Sequence, residues 1–374
     1  MRRKLFKLTM ASGLVLLVVS FGWIGTADWV DAAYAQQNQN RGDGEIHVLP
    51  VQGNIYMLIG GGSNITMSVG VDGTLLVDAG TAQMSDKVLA AVKQLATVVT
   101  ASSYPPSPCV GFRCPGGPGA GAYTPWGWSS PSMNAWISSP SPLKPIRQII
   151  NTNDDPEHTG GNLKLAASGK TFVGGNISRG PGGTGEGAQI LAFETVLNRM
   201  TEAKVPDAAW PTDTYYIPKY KITGFFNGEG IELIHIPAAH TDGDTIVYFR
   251  YSDVISAGDV FRIDSYPVID LERGGSIQGT IDGLNKILDI AIPQFRSQGG
   301  TYIVPGHGRL SDTGDVANYR NMVVKIRDRI QDMMKSRMTL QQVKAANPTL
   351  DYDGRFGSPD KFIEAVYRSL SQIH

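Results

Sequence analysis

Past residue 45 the chain breaks into short apolar runs rich in β-branched residues. Segments 46–51, 54–59, 65–69 and 74–77 are separated by Gly or Asp-Gly, which predicts strands joined by tight turns. Ser85 opens a different rhythm. Val88, Leu89, Val92 and Leu95 recur at helical spacing, predicting a helix over 86–96 capped by Ser85. Strand and helix patterns then alternate, with strands at 146–150 and 172–173 and helices at 162–167 and 190–203. A second strand cluster covers 230–236, 245–250 and 254–257, followed by a helix over 276–292 and a strand at 301–304. Helical periodicity closes the chain over 316–338, 340–345 and 359–371. Two strand clusters, each followed by helices, predict an α/β (α+β layered) fold, a two-layer core covered by helices on both outer faces.

Two stretches stand outside this pattern. Residues 1–35 carry a basic start (Arg2, Arg3, Lys4, Lys7), an apolar run over 8–24 and then Ala33, Tyr34 and Ala35. That is the layout of a Sec-type signal peptide cleaved after Ala35, so a periplasmic or secreted protein is expected. A polar linker follows over 36–44, and residues 45–374 are expected to form the folded domain, ending in a helical extension. No later segment is long and apolar enough to span a bilayer, so no stable membrane span is expected once the signal is removed. The other exception is 101–145, with 10 Pro, 9 Ser, 6 Gly and Trp126, Trp128 and Trp136, but only two charges. Such an insertion is either a surface loop without regular structure or a Trp-bearing lid that docks a protein partner. Cys109 and Cys114 lie within it, and in an exported chain a small local disulfide is expected there rather than a metal site.

Composition narrows the function. Of 374 residues 41% are hydrophobic, which excludes a disordered chain. Without residues 1–35 the chain keeps 29 basic against 32 acidic residues, so no nucleic-acid partner is expected. A small-molecule substrate fits better. Three of the six histidines follow apolar strands in short Gly-flanked loops: His158 in Pro156-Glu-His-Thr-Gly160, His240 in Pro237-Ala-Ala-His-Thr-Asp-Gly243, and His307 in Pro305-Gly-His-Gly308. Asp259 ends another strand. Loops at strand ends converge on one rim, and imidazoles mixed with carboxylates are ligands for Zn, Fe or Mn. His235, inside a strand, reads as a core or supporting histidine, and Tyr266 as either pocket lining or packing. The Gly-rich run 180–187 lacks a phosphate-loop ending and reads as a flexible loop.

In this order the motifs resemble those of the metallo-β-lactamase superfamily of metallohydrolases. Leu75-Leu-Val-Asp-Ala-Gly80 resembles the family strand that ends in a structural Asp, here Asp78. Asn151-Thr152 leads into the position of its His-x-His-x-Asp-His motif, followed by Thr159-Gly-Gly-Asn162, and His240, Asp259 and His307 match the later ligand positions. The resemblance implies a four-layer αβ/βα sandwich and one or two divalent metal ions, zinc by family. His240-Thr-Asp-Gly-Asp-Thr245, Tyr266-Pro-Val-Ile-Asp270 and Gly274-Gly-Ser276 further resemble a group of exported or bacterial hydrolases whose substrates are mostly unassigned.

This chain departs from the family where the His-x-His-x-Asp-His motif reads Asn153-Asp154-Asp155-Pro156-Glu157-His158. In family terms the first metal position keeps Asp155, His240 and the Asn153 carbonyl. The second keeps Glu157, His158 and His307, with Asp259 able to bridge. Exchanging imidazole for carboxylate shifts preference from zinc toward Fe or Mn. Three outcomes stay open: a mononuclear oxygen-rich site at the second position, a two-metal site held by altered ligands, or a catalytically weak or inactive member that binds without hydrolysing. A working site implies metal-bound hydroxide attacking an ester, lactone, thioester or amide carbonyl. Asp259 would orient or bridge the nucleophile, and Glu157 or Asp155, where not ligated, would pass a proton to the leaving group.

Overall fold

The computed structural model describes residues 44–70, 72–103, 145–170, 187–222, 226–293 and 299–372. The signal peptide, nearly all of the linker, most of the insertion with Cys109 and Cys114, the strand at 172–173 and most of the glycine run lie outside the described residues. One sheet runs in sequence order, β1 (His47–Gln52), β2 (Ile55–Ile59), β3 (Ile65–Gly70), β4 (Gly73–Val77), β5 (Ile146–Ile150), β6 (Gln189–Phe193) and β7 (Asp213–Tyr215). Its first four strands form an antiparallel meander, and β5 to β7 continue parallel to β4. The other sheet holds β8 (Lys219–Lys221), β9 (Ile231–Ile236), β10 (Asp244–Phe249), β11 (Val254–Ser256) and β12 (Tyr302–Val304), in reverse spatial order.

The two-residue period of a strand sorts the apolar side chains into separate layers. Leu75, Val77, Ile150 and Leu191 of the first sheet meet Leu233, Val247, Val254 and Val304 of the second in a central core. Their neighbours Leu76, Ile149 and Ile190 point the other way, onto helices α1 (Ser85–Ser103) and α3 (Asn162–Ala167), where Val88, Val92 and Leu165 are buried; α2 (Pro156–Thr159) lies between these helices in the chain. Across the second sheet, Ile234, Ile246, Ile255 and Ile303 face Ile281 and Leu284 of α5 (Ile277–Ile290), Val323 of α6 (Thr313–Lys335) and Val366 of α9 (Asp360–Ser371). Three cores between four layers make the αβ/βα sandwich. The remaining α-helices among the described residues are α4 (Glu194–Glu202), α7 (Leu340–Ala345) and α8 (Asp353–Phe356).

One expected helix is corrected. Residues 190–203 divide into strand β6 and helix α4, because Ile190 and Leu191 bury on opposite faces of the sheet. A strand covered on both sides is a continuous apolar run and carries no alternation to betray it. The amphipathic helix starts only at Glu194, burying Val196 and Met200. The short strands β7 and β8 had no sequence signal. Helix α6 begins at Thr313, where Asp312 and Asp315 form a reciprocal cap.

Candidate metal centre

Loops from the ends of β4, β5, β11 and β12, and the turn between β9 and β10, meet on one rim of the sandwich. The two sheets are stitched together there. Thr245 N donates to Thr152 O at 2.8 Å, and the buried Asn64 side chain donates to Pro305 O and Gly308 O, both at 2.9 Å. Gly258 is needed at this junction: its φ is +51°, and a Cβ there would lie 2.7 Å from Thr152 Cβ.

Asp78 organises the floor. It follows β4 in left-handed backbone at φ 68°, a conformation that Asp tolerates better than most residues. Its carboxylate accepts from Thr152 N and Thr152 Oγ1, both at 2.8 Å, and from His158 Nδ1 at 2.8 Å. That contact fixes the ring of the fully buried His158 and turns Nε2 toward the rim, 3.3 Å from Asp259 Oδ2. His307 Nε2 lies 2.9 Å from Glu157 Oε1 and 3.6 Å from Asp259 Oδ1. On the far side of Asp259, His240 Nε2 is 3.5 Å from Asp155 Oδ2. Donor atoms of Glu157, His158, Asp259 and His307 lie within 4.8 Å of one another, as do those of Asp155, His240 and Asp259. Asp259 is common to both groups.

The chemistry of these atoms fits a cation. His158 Nε2, both His240 ring nitrogens and Asp259 Oδ1 are buried with no hydrogen-bond partner, a costly condition unless something else satisfies them. Burial disfavours an imidazolium at His158, yet Asp78 and Asp259 outweigh it and hold the group well above the ordinary histidine range. His240 is raised in the same way, Asp244 prevailing over burial. Burial likewise pushes Asp259 up, but His158, Arg262 and His307 pull it well below the ordinary carboxylate range. The His307 hydrogen bond lowers Glu157. The carboxylates thus draw positive charge into the centre, and an ion bound there would displace these protons.

Asn153 is buried, but its Oδ1 accepts the Asp155 backbone N–H at 2.9 Å and its Nδ2 has no partner. His235 stacks on Phe193 at 3.5 Å between centroids and its Nε2 meets Asp242 O at 2.7 Å, so it braces the turn that carries His240. Tyr266 packs against Phe356 and Phe362, with its hydroxyl donating to Asp353. Sequence reasoning missed two arginines. Arg262 Nη1 lies 3.3 Å from Asp259 Oδ2 and 3.5 Å from Glu157 Oε1, while Arg273 Nη1 lies 2.5 Å from Asp155 Oδ1. Each sits inside or beside a quoted motif, but an arginine in a loop carries no sign of facing inward.

The structure is thus a layered α/β sandwich with mixed imidazole and carboxylate donors, a candidate metal centre, on its rim. A family profile described as the metallo-beta-lactamase superfamily matches residues 134–328, and the chain belongs to that superfamily. Among solved structures, a double mutant of the sec-alkylsulfatase PisA1 is 13% identical, with a TM-score of 0.57 over 91% of this chain and 52% of that one. The stereoselective inverting sec-alkylsulfatase Pisa1 from Pseudomonas sp. is also 13% identical, with a TM-score of 0.57 over 89% of this chain and 51% of that one. The chain therefore spans about half the length of these sulfatases. The DIM-1 metallo-beta-lactamase exposed to ceftazidime is 13% identical, with a TM-score of 0.46 over 75% of this chain and 96% of that one. No curated protein shows a significant sequence match.

Proposed function

We propose that the chain is an exported, metal-dependent hydrolase of small molecules, with an oxygen-rich metal centre, acting on an ester, lactone, thioester or amide. The observation that carries this reading is the convergence of unpartnered His158 Nε2, His240 Nε2 and Asp259 Oδ1 on one rim. Membership of a superfamily of hydrolases supports it, as does the fold shared with an alkylsulfatase. Glu157, His158, Asp259 and His307 would hold one divalent ion, zinc, iron or manganese, and Asp155, His240 and Asp259 are the donors available to a second. When bound, such an ion supplies Lewis acidity and acidifies a water molecule. The protein's own part is orientation and proton handling. Asp78 holds His158 in place, and Asp259 faces both groups from a buried position. Glu157 or Asp155, whichever is left unligated, would pass a proton to a leaving group. Residues 1–35 would direct export, and the Trp-bearing insertion would serve as a lid or as a docking loop for a protein partner. Among the described residues no helix is long and apolar enough to cross a membrane.

The test is elemental analysis of mature protein purified without chelators, followed by an ester, lactone, thioester and β-lactam panel. We expect at least one transition metal per chain, lowered in both His158→Ala and His307→Ala, together with any hydrolysis found. Unchanged metal content in both variants would refute the ligand assignment. No metal after incubation with Zn, Mn and Fe would make the chain a binding protein on a hydrolase fold.

A further inference from the structure

The two donor groups are held very differently by their neighbours. In the first, Arg273 Nη1 lies 2.5 Å from Asp155 Oδ1 and 3.0 Å from Asp154 Oδ2. This arginine is fixed along its whole length. Its Nε donates to Asp270 Oδ2 at 2.7 Å and its backbone N–H to Asp270 Oδ1 at 3.0 Å. Its carbonyl accepts from Asp242 N at 2.9 Å and from Arg199 Nη2 at 2.8 Å. The loop that carries it is bound to the turn that carries His240. Asp270 N donates to His240 O at 2.9 Å, and a Cβ on Gly275 would lie 2.2 Å from that same carbonyl. Asn153 Oδ1, the remaining donor expected at this position, already accepts the Asp155 amide.

The second group keeps two imidazoles and two carboxylates. Arg262 approaches it too, its Nη1 donating to Asp259 Oδ2 at 3.3 Å and lying 3.5 Å from Glu157 Oε1, but these contacts are longer than those of Arg273 and its buried Nε has no hydrogen-bond partner. A guanidinium cannot be deprotonated, and its planar fork suits carboxylates. One fixed beside Asp154 and Asp155 sets a permanent positive charge against them and repels a second cation.

We infer that Arg273 takes the place of the first metal ion as a built-in cation, and that the chain binds one divalent ion, at Glu157, His158, Asp259 and His307. The inference rests on the metal-centre reading of the proposed function, and the two fail differently. The experiment strips the full mature protein with a chelator, titrates it with Zn(II), and counts bound zinc by mass spectrometry and calorimetry. One equivalent per chain is expected. Two equivalents of similar affinity would overturn the inference and leave the metal centre standing, whereas none would overturn the metal centre itself. His240→Ala should retain the single equivalent and His307→Ala should lose it; the reverse pattern would overturn the placement. Arg273→Gln should admit a second, weaker equivalent, and Arg273→Lys should not. A folded Arg273→Gln protein that still binds only one would overturn the role of the arginine. If that variant does not fold, the wild-type and His240→Ala counts decide.

Discussion

Asp78 touches no donor group except through His158, yet it sets how that imidazole presents its free nitrogen. It supplies one oxygen to Thr152 N and the other to both Thr152 Oγ1 and His158 Nδ1. Replacing it with Asn keeps the size and the tolerance for positive φ but removes the charge and one acceptor. Partners of this kind are typically worth about 10–100-fold in metal affinity. Asp78→Asn should therefore weaken metal binding by about that factor in a competitive chelator titration, with the circular dichroism spectrum unchanged. At this scale the sequence was informative wherever a polar residue interrupts an apolar strand end, as at Asp78, His158, Asp259 and His307. It was silent on Arg262 and Arg273. Long flexible side chains take their direction from tertiary contacts, and nothing in Asp270-Leu-Glu-Arg273 says that the arginine faces Asp155 rather than solvent.

Strand β9 shows how an element is completed by a neighbour the sequence does not reveal. Glu232 points from β9 toward the edge strand β8, where Lys219 and Lys221 pair with it, Lys221 at 3.3 Å. Burial raises the Glu232 pKa, but the two lysines prevail and the group is lowered below the ordinary carboxylate value. A carboxylate depressed in the folded state stabilises the fold above its unfolded pKa of about 4.3, and that contribution fades as pH falls through the lower folded value. Glu232→Gln should thus cost up to about 1 kcal/mol at pH 7, the scale of a partly exposed ion pair. The variant and the parent should converge at acid pH in urea denaturation. An equal deficit at both pH values would mean that packing of Glu232, not its charge, holds β8. Strand β8 was illegible because three residues, two of them lysine, form no pattern. The division of 190–203 was hidden for the opposite reason, since Ile190-Leu-Ala-Phe193 is apolar throughout and suits a buried strand and a buried helix equally.

At the scale of the molecule the donors are divided between the two halves of the sandwich. Glu157 and His158 follow β5 of one sheet, while Asp259 and His307 follow β11 and β12 of the other. The two strand clusters and their helical covers were legible as layers, because β-branched runs broken by Gly and Asp-Gly turns alternate with stretches of helical spacing. The meeting of the rims was not, because it depends on close approaches such as Gly258 against Thr152 that no periodicity encodes. An ion held by all four donors would tie one sheet to the other and bind only the folded chain. At free metal one hundred times its dissociation constant, such binding adds about 2.7 kcal/mol. Metal should therefore raise the thermal midpoint and a chelator should lower it, in proportion to the logarithm of free metal. His307→Ala, which removes a donor from the second sheet only, should unfold at the same temperature with or without chelator. If the parent protein itself is indifferent to chelation, the centre does not bridge the sheets, and their packing rests on the central core and on direct contacts such as those of Asn64, Thr66, Tyr215 and Thr245.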